Sequence, residues 1–212
     1  MTENIEVFKQ NSIRIVDGKS IIYVDPFEMD GSPHEASIIL ITHDHHDHFD
    51  PASIEKIANT NTVLVVPEKM EKKAAEALDH VSKLITVKPG IIKEIGSLQL
   101  NTVPAYNLLK PFHPKSSDWV GYILNINGRR IYIAGDTDAT KEAKAVKCDI
   151  ALVPVGGTYT MDAKAAAELV NTIQPQVAIP VHYGSIVGSP KDGEVFAANV
   201  KAPVKVEFKI KF

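Results

Sequence analysis

The sequence contains a single cysteine, Cys148, and this scarcity restricts both the compartment and the chemistry of the protein. One cysteine among 212 residues cannot form a disulfide within the chain, which is typical of proteins from a reducing compartment. Because Cys148 lies at the entry to the apolar segment "VKCDIALVP", we expect a buried structural thiol rather than a nucleophile. We therefore expect a cytoplasmic protein.

The sequence also has no excess of positive charge and no long apolar run. Its formal net charge is -3, and no cluster of Lys and Arg resembles a surface that follows nucleic-acid phosphates. The N-terminal residues lack the basic and apolar segments of a secretory signal, and no apolar run is long enough to cross a membrane. We expect a small-molecule substrate, with neither nucleic acid nor membrane as a partner, and the oligomeric state stays open.

The pattern of apolar segments and turns predicts a mixed α/β protein. Continuous apolar runs such as 36–42 and 62–67 are typical of strands buried on both faces, and dipeptides such as Asn127-Gly128 predict hairpin turns. Helices are predicted over 50–59, 68–81, 137–146, 161–173 and 193–200, and a final strand over 204–210. Each half begins with strands and continues with alternating strands and helices. This order favours two mixed sheets packed face to face, with helices outside, in one domain spanning 1–212.

The segment "LITHDHHDHFD" places four histidines and three aspartates directly after an apolar strand. Within it, His43, His45, Asp47 and His48 fit the pattern His-x-His-x-Asp-His. Imidazole nitrogens are ligands that zinc and similar metals prefer, and a carboxylate compensates the charge of the metal. Four such groups exceed the needs of one tetrahedral ion that keeps an open position. The segment therefore predicts two metal ions.

Further candidate ligands follow other apolar strands. Asp136 follows "IYIAG", His182 follows "VAIPV", and His113 lies in the loop after "LNTVPAY". The carboxyl ends of parallel strands meet at one edge of a sheet, so these side chains can converge there. We expect His46 not to bind metal and Asp50 to cap a helix.

The motifs "THDHHDH", "AGDTD" and "IPVHYG" together resemble the metallo-β-lactamase superfamily, within the branch of small stand-alone hydrolases related to ascorbate-6-phosphate lactonase. The resemblance covers almost the whole chain. It implies a four-layer αββα sandwich with the metal site along one edge of the two sheets, which agrees with the element order above.

The resemblance also implies a ligand set. His43 and His45 are assigned to the first metal, Asp47, His48 and His182 to the second, and Asp136 bridges the two. The family usually places a third histidine for the first metal just after the strand that precedes the "GD" strand. Here Asn107 lies near that position and His113 comes several residues later. We expect His113 to be the ligand, through a loop that folds back, with Asn107 as the alternative.

The implied reaction is hydrolysis by a hydroxide held between two divalent metals. Zinc is the default metal, and manganese or iron are compatible with bridging carboxylates. Asp47 and Asp136 are predicted to orient the nucleophile or handle its proton. Tyr183 and Tyr159 are candidate hydrogen-bond donors to the oxyanion, and packing is the alternative role for both.

A small, possibly anionic ester, lactone or phosphodiester is the expected substrate, since Lys110 and Lys115 flank His113 and could bind an anionic group. Three alternatives stay open. The protein could be a nuclease or other phosphodiesterase acting on nucleic acid, a di-iron redox protein on the same fold, or a binding protein on a hydrolase fold that has lost its metals.

Overall fold

The computed structural model describes residues 1–210, which divide into two compact units, an N-terminal unit of residues 1–87 and a C-terminal unit of residues 88–210. Each unit contains one sheet with both antiparallel and parallel strand pairs, so the prediction of two mixed sheets is confirmed. The interpretation of the chain as a single domain stays a prediction.

The sheet of the N-terminal unit contains six strands that lie in sequence order. They are β1 (Ile5–Val7), β2 (Ile13–Asp17), β3 (Ser20–Val24), β4 (Ile38–Leu40), β5 (Val63–Pro67) and β6 (Lys83–Val87). The first three strands are antiparallel, and β3 to β6 are parallel. Strands β4 and β5 are almost wholly buried, which explains their continuous apolar sequences.

The helices of the N-terminal unit are short. Helix α1 (Pro51–Ile57) begins as predicted, because the Asp50 side chain accepts a hydrogen bond from the backbone N–H of Ala52. The single helix predicted over 68–81 is wrong in its continuity. The chain there forms a 3-10 turn, helix α2 (Glu71–Ala74) and a second 3-10 segment, and Met70 provides no side-chain cap for α2.

The sheet of the C-terminal unit contains seven strands, which also lie in sequence order. They are β7 (Ile92–Ile95), β8 (Leu98–Pro104), β9 (Val120–Ile126), β10 (Arg129–Ile133), β11 (Ile150–Pro154), β12 (Val177–Val181) and β13 (Lys205–Val206). Strands β7 to β10 are antiparallel, and β10 to β13 are parallel. The carboxyl ends of β10, β11 and β12 therefore lie at the same edge of this sheet.

The C-terminal unit contains helices α3 (Lys141–Lys144), α4 (Ala163–Ile173) and α5 (Asp192–Asn199). Helix α4 begins at the Asp162 cap and buries an apolar face against the sheet, and it ends where Gln174 adopts a left-handed conformation. The helix predicted over 137–146 and the strand predicted over 204–210 are both much shorter than expected. Within residues 1–210, no helix combines the length and apolar character that crossing a lipid bilayer requires.

Candidate metal centre

The histidine segment of the N-terminal unit follows strand β4 and is largely buried. The His43 and His48 rings are 1% and 0% exposed, and their centroids lie 3.9 Å apart. His43 Nε2 lies 3.1 Å from His45 Nδ1. His43 is buried and His45 is partly buried, and ring nitrogens this close need a shared proton or a shared cation, so this arrangement fits a metal site.

Asp25 organises this segment, although the sequence reasoning missed it. It follows β3 in a left-handed conformation, with a φ of 45°, and its carboxylate is fully buried. The carboxylate accepts hydrogen bonds from the backbone N–H and hydroxyl of Thr42, from Asn11 Nδ2 and from His48 Nδ1, at 2.6–2.8 Å. The sequence contains a signal for this residue, because Asp25 directly follows an apolar strand, as Asp136 does.

These hydrogen bonds decide which ring nitrogen of each histidine carries the proton. The Thr42 hydroxyl donates its hydrogen to Asp25, so at 3.0 Å it accepts one from His43 Nδ1. His48 Nδ1 donates to Asp25 at 2.7 Å. In both rings Nε2 is then the nitrogen with the lone pair, which is the form that binds a metal.

The other polar residues of the segment have distinct environments. Asp47 Oδ2 accepts a hydrogen bond from the buried Gln10 side chain at 3.2 Å and lies 3.7 Å from His48 Nε2. His46 is exposed, with its ring edge-on to Phe27, as a residue that does not bind metal would be. Asp50 caps α1, as predicted.

Two predicted ligands of the C-terminal unit, His113 and His182, converge on the third, Asp136. His113 Nε2 lies 3.3 Å from one carboxylate oxygen of Asp136, and His182 Nε2 lies 3.4 Å from the other. All three side chains are at least 96% buried. Two ligands about 2.0–2.1 Å from one tetrahedral ion lie roughly 3.3–3.4 Å apart, so each N–O pair fits a shared ion. Asp136 thus presents one oxygen to each histidine, as a bridging carboxylate does.

The backbone near these ligands is unusual. His182 has a φ of 58°, a conformation that residues with side chains rarely adopt and that clusters at functional sites. The strand end of β11 lies so close to this residue that a Cβ atom on Gly156 would overlap the His182 carbonyl oxygen. Glycine at 156 therefore allows the close approach that holds His182 in place.

The loop carrying His113 folds back, as the sequence reasoning expected. Asn107 and His113 are joined by a hydrogen bond from the Asn107 N–H to the His113 carbonyl, at 2.8 Å. Two further contacts connect Asn107 Oδ1 to the backbone N–H and Nδ1 of His113, at 3.0 and 3.1 Å. Residues 108–112 form a loop between these two, and Leu109 at its tip is 98% exposed.

The two candidate tyrosines occupy different positions. The Tyr183 ring is packed in the apolar core of the C-terminal unit, with its hydroxyl against Gly193 in α5, and burial raises the pKa of this hydroxyl. This position favours packing, which is the alternative role expected for Tyr183, and the oxyanion role stays a prediction. Tyr159 is exposed, and its ring stacks edge-on against Phe112 at 4.7 Å.

The two lysines that flank His113 are engaged with acidic residues. Lys110 Nζ lies 3.6 Å from Asp138 and donates to the Thr160 carbonyl oxygen. Lys115 Nζ lies 3.2 Å from Glu142, and its hydrogen bond to that carboxylate raises its pKa. Their charges are therefore partly compensated within the C-terminal unit.

Cys148 is half-buried, and burial raises the pKa of its thiol to about 12. A thiol with this pKa is almost entirely protonated at neutral pH, which supports a structural role.

An open pocket of about 470 Å³ lies between the 108–112 loop and the start of α4, and its walls include Leu108, Met161 and Ala165.

Buried imidazoles and carboxylates at the ends of parallel strands are the residues of a metal-dependent enzyme on a mixed α/β fold. Comparison with known proteins gives the same class. The model of the beta-lactamase superfamily domain matches residues 4–182. A UPF0173 metal-dependent hydrolase of Thermoplasma acidophilum is 34% identical over 193 residues, which cover 85% of this chain and 84% of that protein. One from Methanosphaera stadtmanae is 31% identical, with 93% and 91% covered.

A crystal structure from Parabacteroides distasonis, of a protein assigned as a metal-dependent hydrolase, superposes with a TM-score of 0.82 at 32% identity. The superposition covers 97% of this chain and 91% of the other, so the predicted fold class is confirmed. The chain belongs to the metallo-β-lactamase superfamily, and it is a metal-dependent hydrolase.

Proposed function

We propose that this hydrolase uses two divalent metal ions to cleave a small ester, lactone or phosphodiester. The observation that carries the proposal is the placement of His113 and His182 at separate oxygens of Asp136, at 3.3 and 3.4 Å. A carboxylate that faces one imidazole with each oxygen is suited to bridge two ions. Each of the two N–O pairs has the separation of two ligands that share one ion, which supports a separate ion for each histidine.

The ligand set that the resemblance implies is part of this proposal. Family membership and the order of the motifs along the chain support it. In the proposed arrangement His43, His45 and His113 would hold the first ion, and Asp47, His48 and His182 the second. Asp136 would contribute to both.

Divalent ions bound by these residues would supply a Lewis acid and lower the pKa of a coordinated water toward 7. The protein residues fix the geometry of this chemistry. Asp25 and Thr42 hold the His48 and His43 rings with Nε2 as the ligand atom. Asp47, held by Gln10, and Asp136 are carboxylates that can orient the attacking water and accept its proton.

Zinc is the metal that we propose, because nitrogen ligands from histidine dominate the set. Manganese or iron would also suit a centre with a bridging carboxylate. A di-iron redox protein is the alternative that the metal identity tests directly. Iron in the purified protein, together with reactivity toward oxygen, would favour it.

Among the three substrate classes we favour an ester or lactone. Lys110 and Lys115 are the cationic side chains nearest to His113 in sequence, and both already contact carboxylates. A phosphodiester carries a charge that would compete with those carboxylates for the same lysines. We also propose that the protein is cytoplasmic and that its substrate is a small molecule.

Cleavage of nucleic acid is the second candidate function. Substrate binding that weakens strongly with added salt would indicate it.

The first experiment measures the metal content of the protein purified without chelator or added metal, by inductively coupled plasma mass spectrometry. We expect about two equivalents in the parent and about one in His113→Ala, because this variant loses a ligand of the first ion only. His46→Ala is the matched control. It removes an exposed histidine from the same motif and should retain both equivalents.

Hydrolysis is then measured with lactones, aryl esters and phosphodiesters, using the metal that the analysis identifies. We expect activity that is lost with chelator, restored by that metal, and reduced at least tenfold in His113→Ala. A parent protein that contains no metal and takes none up on titration would contradict the proposal.

A further inference from the structure

The Asn107 side chain is engaged at both of its ends, and these contacts define the orientation of its amide. Oδ1 lies 3.0 Å from the backbone N–H of His113, which can only donate. Nδ2 lies 2.9 Å from the backbone carbonyl of Tyr159, which can only accept. The reversed amide would place two donors together at one end and two acceptors at the other, so it is excluded.

This orientation determines the proton position on His113. Oδ1 of Asn107 also lies 3.1 Å from His113 Nδ1, and an amide oxygen can only accept. His113 Nδ1 therefore carries the proton of this hydrogen bond. Nε2, on the other side of the ring, is the nitrogen that faces Asp136 at 3.3 Å.

The same contacts make Asn107 unsuitable as a metal ligand. Its amide oxygen has two lone pairs, and the two N–H groups of His113 account for both of them. Its amide nitrogen has no lone pair suited to a metal. Asn107 lies near the family's position for the third histidine, yet its side chain supports the histidine that comes six residues later.

We infer that Asn107 is a positioning residue that fixes His113 in the Nδ1–H form, with Nε2 directed to the metal. This inference rests on the proposed function in one respect, namely that His113 binds a metal. Asn107 also ties the His113 loop to the turn that carries Tyr159, so the ring is held by two segments of the C-terminal unit. Packing of the ring against Trp119, at 5.5 Å between centroids, adds a further constraint.

The first test identifies the protonated nitrogen of His113 by ¹⁵N NMR of the metal-free, full-length protein, with the signal assigned by its absence in His113→Ala. We expect the proton on Nδ1 in the parent. In Asn107→Ala the Nδ1–H form should lose population to the Nε2–H form, because Asp136 then offers the better acceptor. Asn107→Asp retains an oxygen acceptor and should restore the Nδ1–H form.

The second test measures zinc affinity by competition with a chromophoric chelator. Loss of a hydrogen-bond partner of a metal-binding histidine typically weakens affinity 10–100-fold, and we expect about this effect in Asn107→Ala for the ion that His113 binds. Asn171→Ala is the matched control, because the Asn171 amide also joins two backbone groups, of Asn199 and Lys201, in the same unit. Its zinc affinity should equal that of the parent.

The outcomes separate this inference from the proposed function. A His113 proton on Nε2 in the parent, or equal zinc affinities in the parent and Asn107→Ala, would overturn the role of Asn107. A parent that takes up no zinc, with the expected NMR result, would overturn the metal centre and leave the proton assignment standing.

Discussion

Three imidazoles among the candidate ligands donate their Nδ1 hydrogens to three chemically different acceptors. His43 donates to a hydroxyl, His48 to a carboxylate and His113 to an amide oxygen. The candidate ligands could be proposed from the sequence, because each follows an apolar strand, lies in the loop after one, or belongs to a compact motif. Asp25 directly follows an apolar strand, but its hydrogen bond to His48, 23 residues away, leaves no local pattern in the sequence. Asn107 could be noted from its position near the family's third histidine, but its role as an acceptor could not be predicted, because it depends on how the 108–112 loop folds.

The acceptor with the most hydrogen bonds, Asp25, gives a prediction about both stability and metal binding. In Asp25→Asn the amide cannot accept all four hydrogen bonds, so buried donors lose their partner. We expect a loss of roughly 2–4 kcal/mol in the free energy of unfolding, and metal affinity about 10–100-fold weaker. Urea denaturation and chelator competition measure these effects.

The exposed Asp30 provides the control for this substitution. Asp30→Asn should stay within about 0.5 kcal/mol of the parent in stability, as is usual for surface changes. Equal stability of Asp25→Asn and Asp30→Asn would contradict the role given to Asp25.

At the scale of elements, the neighbouring parallel strands β10, β11 and β12 all end at the same edge of the sheet. Asp136 follows β10, Gly156 follows β11 and His182 follows β12. The middle strand end carries no ligand, and its contribution is the small size of Gly156. The close spacing between the end of β11 and the His182 backbone therefore depends on the lack of a side chain at Gly156.

Gly156→Ala tests this spacing. The new methyl group would overlap the His182 carbonyl oxygen and lie 2.9 Å from Val187 Cγ2, so the two segments must move apart. We expect a loss of about 1–3 kcal/mol in stability together with weaker binding of the ion that His182 is proposed to hold. Thermal unfolding and zinc competition report the two effects separately.

Gly96→Ala is a useful comparison, because Gly96 has a φ of 59° but open space around the position of a Cβ. It should cost about 1–2 kcal/mol through backbone conformation alone and leave metal binding unchanged. If Gly156→Ala also left metal binding unchanged, the proposed link between β11 and His182 would be wrong.

At the scale of the whole chain, the two mixed sheets could be predicted because apolar runs and turn dipeptides are local signals. The lengths of the weaker elements could not. Residues 68–81 have strong helical propensity, yet they form three short helical segments. The alternating pattern over 204–210 contributes only two residues, Lys205 and Val206, to the sheet. In both cases packing overrides local preference.

The stability of the chain should depend on pH through Glu35. Its hydrogen bond to the Arg14 guanidinium, at 2.8 Å, is the main cause that lowers its pKa below the usual value near 4.5. A lowered pKa in the folded state contributes stability above the unfolded pKa, and this contribution disappears as pH falls through the folded pKa. Glu35→Gln should therefore lower the thermal midpoint at pH 7 more than at pH 3.

Glu55→Gln, at an exposed position on α1, is the control and should change the midpoint little at either pH. A Glu35→Gln effect of equal size at pH 7 and pH 3 would show that the carboxylate charge is not the cause.

The closed base of the 108–112 loop has a consequence for how such an enzyme could diversify. Because Asn107 and His113 bond to each other, we expect the five residues between them to tolerate changes in sequence or number while His113, the proposed ligand, keeps its place. Selection could therefore act on the exposed tip around Leu109 without first disturbing the proposed metal ligands. For protein engineering, the same closure makes this loop a natural point for grafting new segments.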